Sequence, residues 1–319
     1  VPEPRFSVVI PAYNAAAYLG EALDSLIGQE TALAYEIIVV DDGSSDDTAA
    51  VARGFPGVRL LRQKNGGVAC ARNCGIAAAR SELILFLDAD DRAEPGRFER
   101  QVGFMLAHPE IDLSFGNWAV ENEPGSYLAR YGLAGPADRF VELLAPLERL
   151  LAYGCLVPTS TVAVRRPALL AAGGFPEDRR YAEDYALWLA LAPVARFAFI
   201  DAPLAWYRTT ASKRLTRSAD TYLGVVVTLR EALVRHGAAL EPAVAAQAGA
   251  RYAAAVNALL RHDWAYGGRA RVRQRLAALA PILPDDLRRK YLLASLMPSV
   301  LPRTARHMLH GARRLARGI

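Results

Sequence analysis

Three carboxylates close an apolar run in this chain: Glu82-Leu83-Ile84-Leu85-Phe86-Leu87 leads directly into Asp88-Ala89-Asp90-Asp91. Clustered carboxylates repel one another, so a fold that gathers them offsets the charge with a cation. Oxygen ligands with no His or Cys beside them suit hard Mg²⁺ or Mn²⁺ better than zinc. Such ions in turn pair with a diphosphate. A short Asp-x-Asp is also an ordinary solvated turn, and on its own that is the better reading. The remaining residues decide between the two.

The elements that must position these groups alternate through the first third. Phe6-Ser7-Val8-Val9-Ile10 reads as a buried strand ended by Pro11, and Ala16 to Gln29 has helical periodicity. Glu36-Ile37-Ile38-Val39-Val40 is a second strand. Asp46 or Asp47 can cap a helix over Thr48 to Arg53. Val58 to Leu61, Val68 to Arg80 and Glu82 to Leu87 continue as strand, helix, strand. Near-continuous apolar strands between helices predict a parallel sheet covered on both faces. Ligands bind such sheets beyond the carboxyl ends of the strands. Three of those ends are polar here: Ala12-Tyr13-Asn14, Asp41-Asp42-Gly43-Ser44 and Asp88-Ala89-Asp90.

Further along, strands are expected at Asp112 to Phe115, Ser160 to Val164 and Phe197 to Ile200, with helices at Arg139 to Leu151 and Ala182 to Leu191. From Ala219 the pattern is helical to the end. The fold class predicted is α/β, with a helical C-terminal extension. The expected organisation is a nucleotide-binding part over 1–118, an acceptor-side part over 119–217 and a helical region over 218–319.

Composition narrows the function. At 52% hydrophobic and 22% charged, the 319-residue chain is an ordinary globular one. Its formal charge of +5 belongs to the tail, where eight Lys/Arg from Arg288 to Arg317 oppose Asp285 and Asp286. Three cysteines, Cys70, Cys74 and Cys155, give no disulfide framework and suit a reducing compartment. With no signal peptide and no apolar run able to cross a bilayer, the expected location is cytoplasmic, at most at the inner face of the plasma membrane. On a helix over 303–319 the basic residues occupy one face and apolar residues the other. That face could lie on an anionic bilayer or be solvated over the core. It lacks the interleaved aromatics of a nucleic-acid surface, so no nucleic-acid partner is expected. Neither G-x-G-x-x-G after the first strand nor G-x-x-x-x-G-K-[ST] occurs, which disfavours dinucleotide oxidoreductases and P-loop enzymes.

Ser7 to Asn14, Ile38 to Thr48, Ala71-Arg72-Asn73-Cys74-Gly75-Ile76, Phe86 to Asp91, Gly173-Gly174-Phe175 and Glu183-Asp184-Tyr185-Ala186-Leu187-Trp188 together resemble the family 2 glycosyltransferases, over roughly Phe6 to Arg217. The resemblance implies the GT-A fold and inverting, metal-dependent transfer of a sugar from a nucleotide-sugar, a UDP-sugar in the first instance, to a glycan or glycolipid acceptor. It implies that Tyr13 stacks on the base, that Asp42 accepts from uracil N3–H, and that Pro11 and Ala12 lend backbone groups beside it. Arg72 would neutralise diphosphate or hold Asp88, with a solvated Arg as the alternative. Asp90 would ligate Mn²⁺ or Mg²⁺ directly, with Asp88, across Ala89, on the ribose or on the metal through water. Asp184 would be the base, Glu183 its partner or a sugar ligand, and Trp188 an apolar wall for the acceptor. Arg208 or Arg217, in a loop after Trp206-Tyr207, would clamp the phosphates. Two rivals from other classes are a sugar nucleotidyltransferase and a non-catalytic glycan-binding module. The first wants a basic phosphate loop after the first strand, and Ala12 to Ala17 has no Lys or Arg.

Overall fold

The computed structural model describes residues 3–120, 140–208 and 218–281, with 283 and 289. Its centre is a nine-stranded sheet in the order β3-β2-β1-β4-β8-β6-β9-β5, with β7 paired to β9. The strands are β1 Phe6–Ala12, β2 Tyr35–Asp41, β3 Val58–Arg62, β4 Leu83–Phe86, β5 Arg92–Ala93, β6 Leu113–Val120, β7 Phe140–Glu142, β8 Ala163–Arg165 and β9 Phe197–Tyr207. Strands β1 to β4 pair parallel, as do β6 and β9, while β8 runs antiparallel between β4 and β6. Because β1 lies between β2 and β4, the three polar strand ends fall side by side at one edge.

The helices are α1 Leu19–Ile27, α2 Thr48–Arg53, α3 Val68–Ala78, α4 Gly103–Ala107, α5 Pro146–Tyr153, α6 Arg166–Ala171, α7 Glu183–Leu191, α8 Ala219–His236 and α9 Pro242–Leu279. Side chains on the two faces of β1 belong to different cores. Phe6, Val8 and Ile10 pack with α1, while Val9 packs with α3. That division is the period-2 geometry of a strand buried on both faces. Helix α3 can approach β1 closely because of Gly75: a β-carbon there would lie 2.3 Å from Val9 Cγ1.

Two expected elements differ. The helix expected from Arg139 begins only at Pro146, and Phe140 to Glu142 instead pairs with Ile200 to Ala198 of β9. A free sheet edge takes up backbone groups that a local helix would otherwise satisfy, and Pro146 suits a first helical turn. The strand expected over Ser160 to Val164 shortens to β8, preceded by a buried 3₁₀ turn, Thr159–Thr161. Among the described residues from Ala219 onward the structure is helical. Val226 and Leu229 of α8 and Ala248, Tyr252, Val256 and Leu259 of α9 join the same apolar cluster as α3, α5 and α7. No helix of the described residues is long and apolar enough to cross a membrane. The basic segment over 303–319 and Arg217 lie outside the described residues.

Candidate active site

Each polar strand end is built by its own turn. After β1, the Ala12 carbonyl accepts from Asp42 N–H at 2.8 Å, and Asn14 (φ 49°) accepts from Ser45 N–H at 2.9 Å. Tyr13 projects between these contacts and is 54% exposed, the accessibility that a stacking aromatic needs. Pro11 and Ala12 are buried in β1, paired to Val40 and Asp41. After β2, Asp41 braces the turn: it accepts from Ser44 N–H at 2.9 Å and pairs with Arg62 at 2.7 Å, which together hold its carboxyl below the usual range against the cost of burial.

Asp42 has more partners than the sequence suggests. Its two oxygens accept from Gly66 N–H (2.9 Å), Gly67 N–H (2.8 Å) and Gln63 Nε2 (2.8 Å). The side chain is buried, so its first task is to anchor the loop that starts α3. A carboxylate has about four acceptor sites, which leaves room for one donor from a ligand.

Helix α3 then delivers Arg72 to the centre. The residue is 3% exposed, so the solvated alternative is excluded. Nη2 donates to Asp88 Oδ1 at 2.7 Å and Nη1 to Glu183 Oε1 at 2.8 Å, and the guanidinium lies 5.1 Å from the Phe175 ring centroid. One buried cation therefore joins the carboxylate turn after β4 to the acidic start of α7. Burial opposes its charge, but Asp88, Glu183 and Asp184 outweigh that and hold it protonated more firmly than an ordinary Arg. Asn73, the next residue, ties the Gly173-Gly174-Phe175 turn to the same helix. It donates to the Phe175 carbonyl at 2.8 Å and accepts from Phe175 N–H at 2.9 Å. Gly174, at φ +73°, leaves no room for a β-carbon beside Asn73 Oδ1.

Asp88 keeps a second oxygen clear of Arg72, with a side chain 35% exposed, and Asp90 is partly exposed in the same turn. Asp91 points inward. It is buried, accepts from Ser160 Oγ at 2.5 Å and from Arg208 N–H at 3.3 Å, and burial with the neighbouring Asp88 and Asp90 raises its pKa well above that of a free aspartate. Behind it Arg97 donates to the Phe86 and Val162 carbonyls at 3.1 and 3.2 Å, and burial pulls its pKa down to about 9. Among the described residues no group of three or more His, Cys, Asp or Glu forms a metal cage. Two carboxylates in a partly open turn nevertheless fit a hard divalent ion, which completes its shell with water and substrate phosphates.

Helix α7 opens on the two adjacent carboxylates, Glu183 and Asp184. Ala182 (φ 57°) turns the chain left-handed so that Glu183 and Asp184 start the helix. Asp184 accepts from Thr159 Oγ1 at 3.2 Å and Tyr185 N–H at 2.7 Å, with Cys155 Sγ 4.0 Å away. Burial raises its pKa, against the pull of Arg72; Glu183 is pushed up to about 7 by burial and by Asp184. Trp188 departs from expectation. It is fully buried and meets Phe175 edge to face at 5.9 Å, so it is core and cannot wall an acceptor.

Arg208 does reach the carboxylate turn, through its own chain. Nε donates to the Asp90 carbonyl at 3.1 Å and Nη2 to Glu21 Oε2 at 2.6 Å. Four residues escaped the sequence reading: Asn73, Arg97, Thr159 and Ser160. The last two could have been suspected from three hydroxyl residues in a row. Arg97 gave no signal, because nothing in a sequence distinguishes a buried Arg from a surface one.

Known proteins frame this geometry. The family model "Glycosyl transferase family 2" matches residues 7–154. An uncharacterized glycosyltransferase of Rickettsia prowazekii is 30% identical over 200 residues, which span 61% of each chain. An uncharacterized protein of Mycobacterium tuberculosis is 32% identical over 237 residues, 70% of this chain and 73% of that one. Among solved structures, S. aureus TarS 1-349 in complex with UDP-GlcNAc superposes with a TM-score of 0.63 at 24% identity, covering 83% of this chain and 75% of that chain. The mannosyltransferase PcManGT from Pyrobaculum calidifontis, in complex with GDP-Man and Mn²⁺, superposes at 0.56 and 20% identity, over 92% and 86%. Those two likenesses speak to the fold.

Proposed function

The chain belongs to glycosyl transferase family 2 and has the GT-A fold, and on that premise we propose that it is an inverting, metal-dependent transferase acting on a nucleotide-sugar, specifically a UDP-sugar. The acceptor is a hydroxyl of a glycan or glycolipid in cell-surface glycoconjugate synthesis. One observation carries the reading: buried Arg72 bonds both Asp88 and Glu183, so the donor-side and base-side carboxylates meet around a single cation.

The chain's groups divide the work as follows. Tyr13 stacks on the base, and Asp42 offers its remaining acceptor site to uracil N3–H, beside the backbone of Pro11 and Ala12. Asp90, with Asp88 directly or through water, would hold Mn²⁺ or Mg²⁺, whose Lewis acidity screens the departing diphosphate. Asp184 takes the proton of the acceptor hydroxyl. The oxygen attacks C1 from the face opposite the diphosphate, the C1–O bond breaks, and UDP leaves with the electron pair. One base suffices because no covalent intermediate forms. Glu183 stays on Arg72 and orients the helix start. Arg208 lies within reach of the diphosphate on releasing Glu21; Arg217 is assigned the same clamp from sequence alone. Contact with an anionic membrane at its cytoplasmic face belongs to this reading and is supported by the basic pattern over 303–319.

The test is incubation with a panel of UDP-sugars and Mn²⁺, with release of UDP as the readout. Activity should disappear in EDTA and fall by about 10²–10⁴ in Asp184→Asn, the range typical of a lost general base. Full activity in either condition defeats the mechanism.

A further inference from the structure

Thr159, Ser160 and Thr161 form a single 3₁₀ turn, and all three are buried, the most exposed at 5%. Buried hydroxyls need partners, and here each serves a different wall of the site. Thr159 Oγ1 donates to Asp184 Oδ2 at 3.2 Å. Ser160 Oγ donates to Asp91 Oδ2 at 2.5 Å and accepts from Asp88 N–H at 3.1 Å. Thr161 Oγ1 donates to the Pro158 carbonyl at 2.8 Å and accepts from Gly116 N–H at 3.3 Å, which ties the turn to β6. The turn is also held from behind. Gln101 Nε2 donates to the Thr161 carbonyl at 2.7 Å, and Arg97 to that of Val162 at 3.2 Å.

Neighbouring α-carbons stay about 3.8 Å apart whatever their side chains do. Two carboxylate groups gripped by neighbouring residues of a pinned turn therefore keep a fixed separation. We propose that this turn sets the span between donor and base: Thr159 is the positioning residue for Asp184, and Ser160 the positioning residue for the Asp88–Asp91 loop. The inference rests on Asp184 being the base. Arg72 of α3, Asp88 after β4, Glu183 and the Tyr185 N–H of α7 itself and Cys155 after α5 also act on Asp184. Thr159 makes the shorter of the two contacts to Oδ2, at 3.2 Å against 4.0 Å for Cys155.

Two arms test it. Without any ligand, thermal unfolding at pH 8 compares Thr159→Val in the native and Asp184→Asn backgrounds. The drop in Tm should be about 2–4 °C in the first and clearly smaller in the second, because a bond to an ionised acceptor is the stronger one. Equal drops overturn the proposal. With UDP-GlcNAc and Mn²⁺ as the probe, Thr159→Val should lower kcat about tenfold with an unchanged donor KM, and Thr159→Ser should restore it. Ser160→Ala should instead raise the donor KM with kcat nearly intact. Identical changes in both constants for the two variants would mean a merely structural turn. Full turnover in Asp184→Asn would overturn the base assignment, while the thermal comparison still judges the contact. If Thr159→Val does not fold, Thr159→Ala against Thr159→Ser makes the same comparison.

Discussion

At the scale of single residues, the chemistry turns on charge held out of water. As the proposed base, Asp184 would have to be ionised, and its raised pKa then places the acid limb of kcat/KM above the 3.8 of an ordinary aspartate. A pH–rate profile checks this: activity should rise with pH as the proton leaves, and a limb at or below 3.8 contradicts it. Glu183 adds a stability term. Its pKa is raised from 4.5 to about 7, so the folded state holds a proton that the unfolded chain has lost; stability should fall as pH rises through that window. In Glu183→Gln, chemical denaturation across the same window should show a flatter dependence. Arg72→Met removes the cation from between Asp88 and Glu183. Leaving buried charge uncompensated costs about 3–5 kcal/mol, which urea unfolding would register. Of these groups the carboxylates were legible in sequence, because Asp88-Ala89-Asp90 and Glu183-Asp184 stand in recognisable contexts. Arg72's double pairing was not, since Glu183 lies 111 positions away in the chain.

At the scale of elements, α3 is the part that joins motifs distant in sequence. Its start is fixed by Asp42, its middle carries Arg72 and Asn73, and its far face meets β1 through Gly75. Gly75→Ala should drive a methyl into Val9 and lower stability by about 1–3 kcal/mol, as overpacking does, measured as a lower denaturation midpoint at unchanged slope. A midpoint equal to that of the native chain would show that α3 can shift away from the sheet. The alternating strands and helices of the first third were readable from hydrophobic periodicity, to within a few residues at each end. The segment Arg139 to Leu151 was not. Its apolar spacing suits a helix, yet Phe140 to Glu142 finds β9 as a pairing partner, and a local pattern carries no record of a distant edge.

At the scale of the whole molecule, the C-terminal helices share the core that lies behind the candidate site. Leu259 and Val256 of α9 are fully buried in the cluster that contains Leu150, Trp188 and Phe199, and Arg251 packs its guanidinium against Gly154, next to Cys155. Leu259→Ala should therefore cost about 2–5 kcal/mol and should shift a single cooperative transition. Calorimetry showing a separate low-temperature peak for the helices would contradict a shared core. The α/β alternation, the polar strand ends and the residues able to bind a diphosphate or take a proton are legible without coordinates, because these depend on local periodicity and on side-chain type. What folding adds is that Trp188 is core, that Arg72 links two distant carboxylates, and that neighbouring Thr159 and Ser160 bond Asp184 and Asp91. Burial and pairing across long chain separations are properties of the folded body, and no window of sequence contains both partners.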